Sequence, residues 1–111
     1  MLYKPLTNLD NVMSFADEYL NEYYSELQSY GIKRAISKCI FAIISTFVLD
    51  NYKKYSEIEE SNSADILKDI KQDSPLVFYA LLGCGIPNNT IDWIITDAIA
   101  ITLKNIDKLS V

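Results

Sequence analysis

In the stretch LLGCGIPNNTIDW, Leu81 to Trp93, Cys84 stands between Gly83 and Gly85 and shortly before Pro87. A thiol on a tight turn ahead of a helix has some ingredients of a nucleophile, since a helix N-terminus favours the thiolate. The remainder of that chemistry is missing. A reactive thiolate needs a neighbouring cation or base, and the usual base, histidine, occurs nowhere in the chain. The glycines have a simpler purpose: one of them can take the positive φ that ends the preceding helix, and Pro87 keeps that helix from resuming.

Carboxylates are the other reactive stock, fifteen of them against ten lysines and arginines, a net charge of −5. Paired carboxylates do acid and base work only where their surroundings split their pKa values. Asp17, Glu18, Glu22 and Glu26 instead read as one solvated helix face. The sequence contains no glycine-rich phosphate loop, metal-ligand spacing or nucleophile elbow. Cys39 and Cys84 cannot complete a four-ligand zinc site without histidine. The expectation is a protein that is not an enzyme and that carries no cofactor or metal.

The elements that would position these groups are helices. Half the residues are hydrophobic, only three are glycine and three proline, and apolar residues recur at helical spacing. The pattern predicts an all-α fold, a single compact bundle of about five helices with a central apolar helix, in one helical domain over residues 1–111. A first helix is expected from Thr7 or Asn8 to Gly31, its buried stripe formed by Leu9, Val12, Met13, Ala16, Leu20, Tyr23, Tyr24 and Leu27. A second, from about Ile32 to Tyr55, contains CIFAIISTFVL, apolar nearly all round and so suited to the middle of a bundle. That run is about half the roughly 20 apolar residues of a membrane span. The acidic, serine-rich SEIEESNS reads as a loop. Ser63 is expected to cap a short helix, and Ser74 with Pro75 to start a mostly buried one, LVFYALL. The last is predicted from Thr90 to about Asp107, capped by Asn89, with Asp92 in its first turn and Ile91, Ile94, Ile95, Ala98, Ile99, Thr102 and Ile106 on one side.

Charge narrows the partners. Arg34 is the only arginine, so no basic cluster exists to hold nucleic acid, and no membrane association is expected. The N-terminus lacks the pattern of a secretory signal, which predicts a cytoplasmic protein with two small, buried, unpaired cysteines. An acidic exterior favours a basic protein partner. Glu18, Glu22 and Glu26 repel one another at four-residue spacing, and Phe15 and Tyr19 flank them, giving an acidic strip edged by rings. Tyr55, Glu57, Glu59 and Glu60 extend it if the second helix ends beside the first. Trp93 lies off the apolar side of the last helix, where it covers the Gly83 to Pro87 connector or reaches toward a partner. These ten residues form the expected partner-binding surface. The leading expectation is an inhibitor of a basic protein, by class analogy an immunity protein against a toxin such as a nuclease. The alternative is a self-associating adaptor, a homodimer that buries its aromatics.

Overall fold

The computed structural model describes residues 4–51 and 63–109, and its described elements are all helices. They run in the order α1 Lys4–Tyr19, α2 Asn21–Gln28, α3 Arg34–Asn51, α4 Ser63–Asp73, α5 Pro75–Gly83, α6 Asn88–Lys104 and a single turn, α7 Ile106–Leu109. The all-α class and a bundle of about this many helices are as expected.

The first predicted helix is two. It already includes Lys4, the first described residue, ahead of the expected start at Thr7. It breaks at Leu20, whose backbone (φ −118°, ψ 8°) leaves the helical region. The Leu20 N–H still reaches Ala16 O at 2.9 Å, while Leu20 O accepts the Tyr23 N–H at 3.1 Å, so Leu20 keeps a backbone hydrogen bond on each side of the turn. Neither proline nor glycine marks the break. Leu20 is fully buried at the bend, and both segments keep their apolar sides inward, with Val12, Phe15 and Ala16 on α1 and Tyr23, Tyr24 and Leu27 on α2.

Two glycines stop helices as predicted. Gly31 and Gly85 both have φ of +90°, and the next residue returns an N–H to the helix, Ile32 to Leu27 O and Ile86 to Leu81 O. This is the Schellman closure, and Ile32 and Ile86 are both buried beneath it. Gly83, by contrast, is helical. A Cβ at either Gly83 or Gly85 would meet nothing within 4 Å, so only backbone conformation separates the two sites. Gly85→Ala is expected to destabilise the chain by about 1–2 kcal/mol, and Gly83→Ala to stabilise it by about 0.5–1 kcal/mol. Thermal unfolding followed by circular dichroism checks the opposite signs.

Helix α3 is central: it packs against α1, α2, α4 and α6. It begins at Arg34 because Ile32 is used in the closure of α2, and its expected residues 52–55 lie outside the described ones. Phe41, Ile44 and Val48 are fully buried, and Ser45 meets Thr102 of α6 at 3.1 Å. Thr102 also donates to Ala98 O at 2.7 Å, so this buried hydroxyl pair leaves no orphan. The expectation of burial all round is overturned, because Ile36, Cys39, Ile43 and Thr46 are exposed. A helix with four neighbours on one side still turns its other side to solvent. Cys84 is exposed as well, so neither cysteine is the small buried hydrophobe expected.

Three further expectations are corrected. Ser63 is buried as the first residue of α4, and its Oγ has no hydrogen-bond partner among the described residues. Ser74 precedes Pro75, the first residue of α5, yet its hydroxyl turns to Asp73 Oδ2 at 3.3 Å rather than capping the helix. Helix α5 is not mostly buried: Phe78 and Leu81 face the core, while Leu76 and Tyr79 are 77% and 65% exposed. A short helix that is apolar on every side can cover only one of them when it packs mainly against α4 and α6.

The last helix starts two residues early, after an extended Pro87, so Asn89 is inside it rather than at its cap. Asp92 pairs with Lys71 of α4 at 2.9 Å. The predicted apolar side is buried in full, from Ile91 to Ile106, with a break at Asn105 before α7. No helix among the described residues is long and apolar enough to cross a membrane.

Candidate partner-binding surface

Burial reorders the acidic strip. Glu18 and Glu22 are exposed and Glu26 is half-buried, but the break at Leu20 divides them between α1 and α2. Phe15, expected at the edge of the strip, is buried at 4% exposure. Its ring lies 4.8 Å from that of Tyr19, which is half-buried against the core. Phe15 therefore anchors α1 instead of facing a partner. Tyr55, Glu57, Glu59 and Glu60 lie outside the described residues.

Asp17 is neutralised where it stands. Lys38 of α3 lies 2.8 Å from one carboxylate oxygen, and Arg34 lies 3.5 Å from the other. Tyr24 donates its hydroxyl to Asp17 at 3.1 Å, and the Arg34 guanidinium lies 4.7 Å from the centre of the Tyr24 ring. The hydrogen bond from Lys38 leads in holding the Asp17 carboxyl below its ordinary range, against a smaller opposing effect of burial. This network ties α1, α2 and α3 together and takes one carboxylate out of the negative face.

The structure assembles a different acidic and aromatic face, between α2 and α6. Trp93 is half exposed, and its ring meets Tyr23 of α2 edge-on, with centroids 5.8 Å apart and planes at 70°. Tyr23 donates its hydroxyl to Asp97 of α6 at 2.9 Å, and packs against Phe41 in the core at 6.2 Å. Trp93 is thus the outer end of a run of rings that continues through Tyr23 and Phe41 to Tyr24. The ring contact is made to Tyr23 of α2. The carboxylate of Asp97, which accepts from Tyr23, stands one turn along α6 from the tryptophan.

Sequence reasoning named Trp93 and Glu22 as binding residues and set Asp97 beside Trp93, but it left Asp97 and Tyr23 out of the binding surface. Tyr23 was assigned to the core by its spacing, and it is buried there, yet its hydroxyl reaches the surface carboxylate. The available signal was chemical: a tyrosine in a buried stripe needs a partner for its O–H.

Burial, reinforced by the bond to Asp97, pushes the Tyr23 phenol up to about 12, and burial with Asp17 likewise raises Tyr24. Both favour the neutral phenol in the folded state. Their stabilisation is complete below the ordinary tyrosine value of 10.0 and is lost as pH rises toward 12, because the unfolded chain releases these protons first. The urea midpoint is therefore expected to fall across that window, and Asp97→Asn should reduce the fall.

Comparison with protein-family models, with curated proteins and with solved structures finds no match. The arrangement of its own residues is therefore the ground for a functional reading.

Proposed function

We propose that this chain acts by binding and masking a basic protein, most concretely as an immunity protein that neutralises a toxin such as a nuclease. Trp93 carries the reading. It is a large, half-exposed ring whose backing is already fixed by Tyr23, and Tyr23 is itself held by Asp97 and by Phe41. A ring fixed before binding forfeits little side-chain freedom when a partner covers it, and tryptophan is the side chain most enriched at binding hot spots. Charge selects the partner: Asp97 lies one turn along α6 from Trp93 and holds Tyr23, while Glu18 and Glu22, exposed, and Glu26, half so, add to the negative exterior of α1 and α2. Such a field steers a positively charged protein and rejects a negative one.

A nuclease suits this description because the cleft that holds nucleic acid must be positive. An acidic, aromatic face can occupy it without transforming anything. Neither catalysis nor a cofactor is part of the reading.

The experiment is co-expression with the product of the neighbouring reading frame, followed by titration calorimetry of the purified pair. Binding is expected, with strong weakening when Glu18, Glu22 and Glu26 are all changed to lysine. Absence of binding to a basic product, or binding indifferent to the triple reversal, rejects the mechanism.

A further inference from the structure

Two neighbouring tyrosines of α2 each donate a hydroxyl to a carboxylate on another helix, and the two sites differ in one respect. Tyr24 donates to Asp17 at 3.1 Å, and Arg34 completes that site: its guanidinium lies 4.7 Å from the centre of the Tyr24 ring and 3.5 Å from Asp17 Oδ1, while Lys38 lies 2.8 Å from Oδ2. Tyr23 donates to Asp97 Oδ2 at 2.9 Å, but none of the ion pairs among the described residues involves Asp97. Its second oxygen, Oδ1, can accept a further donor.

The ring available at this second site is Trp93. Tyr23 is buried at 8% exposure and has little of its own ring to offer, whereas Trp93 is 49% exposed and precedes Asp97 by one turn of α6. Side chains at that spacing share a side of the helix with their Cβ atoms about 5–6 Å apart, a gap that one guanidinium spans. Tyr23 meets the indole at an interplanar angle of 70°, so the two rings are not stacked and Tyr23 covers at most one indole face. The other face can carry a flat cation.

We propose that Trp93 and Asp97 together receive an arginine side chain of the basic partner, its guanidinium stacked on the open face of the indole and donating to Asp97 Oδ1. This assignment rests on Trp93 anchoring a basic protein, and it names the group that the anchor takes. Shape selects arginine over lysine. A guanidinium lies flat on a ring, is weakly hydrated, and keeps its N–H donors in the plane, free for a carboxylate while the face is stacked. An ammonium is a compact, strongly hydrated charge and brings no plane to the ring. An arginine that grips phosphate in a nucleic-acid cleft presents the same planar donors. Arg34, over Tyr24 and beside Asp17, is the same combination of ring, carboxylate and guanidinium within the chain itself.

Trp93 is the one tryptophan of the chain, so its fluorescence reads this site alone. The probes are hexaarginine and hexalysine peptides, equal in charge, titrated into the unmodified chain at low salt. Hexaarginine is expected to change the emission saturably, and hexalysine to bind roughly two- to fivefold more weakly. Asp97→Asn keeps an acceptor for the Tyr23 hydroxyl, and should weaken hexaarginine binding by roughly two- to fivefold and erase the preference. Glu18→Gln makes the same change of charge on α1 and should leave the preference intact, with circular dichroism confirming that both variants are folded. The absence of a saturable response, equal affinity for the two peptides, or an equal loss of preference in both variants overturns the proposal. Should the adjacent reading frame's product bind in dependence on Glu18, Glu22 and Glu26 while the two peptides bind alike, the toxin reading stands and the arginine site falls. An arginine preference in a chain that ignores that product supports the site and rejects the toxin.

Discussion

Phe41→Ala is expected to cost about 3–5 kcal/mol of folding stability, the range for deleting a fully buried aromatic side chain. Phe41 is wholly inaccessible, and its ring lies 6.2 Å from that of Tyr23 and 5.9 Å from that of Tyr24. Both tyrosines come from α2, so the phenylalanine is a main aromatic contact through which the central helix holds the second one. Small domains have only about 5–15 kcal/mol in total, so a loss of this size leaves the chain close to unfolding at ordinary temperatures. Urea denaturation measures it, with Phe41→Leu recovering part of the loss because the cavity is smaller. A midpoint unchanged by Phe41→Ala would mean that the rings do not pack as described.

The second large effect concerns binding. Trp93→Ala should weaken the complex with the basic partner by about 2 kcal/mol or more, roughly thirtyfold, as truncation of a central aromatic anchor does. Its effect on stability should stay below about 1 kcal/mol, because half of the side chain is already in solvent. The contrast is the informative quantity, and calorimetry on the complex with denaturation of the free chain supplies both halves. Tyr23→Phe offers a graded comparison. It keeps the ring under Trp93 but removes the hydroxyl that Asp97 holds, so affinity should fall by less than with Trp93→Ala.

The helical class and the inward sides of α1, α2 and α6 were legible from apolar spacing alone, because a residue's place on a helix follows from its number. The stops at Gly31 and in the Gly83 to Pro87 connector were legible too, since few residues other than glycine accept φ near +90°. The break at Leu20 was not. It arises from packing two segments at different angles against one core, and no local residue is required to announce it. Composition also misled. α5 and the exposed seam of α3 are apolar enough to be assigned to the interior, but the interior had no room for every side of each. The candidate surface was half legible: the exposed glutamates and Trp93 could be named, whereas the pairing of α2 with α6 that gathers Trp93, Tyr23 and Asp97 depends on contacts far apart in sequence. Phe15 was lost from it for a local reason: the buried side of α1 is broad enough to take in the residue next to Ala16, which the expected stripe left at its edge.

Association kinetics test the central claim most directly: the rate constant for the chain meeting the product of the adjacent reading frame, measured by stopped flow as salt is raised. Binding of a positive cleft by this negative face predicts a rate that falls steeply with salt and collapses when Glu18, Glu22 and Glu26 become lysines. A rate indifferent to both salt and charge reversal would contradict it.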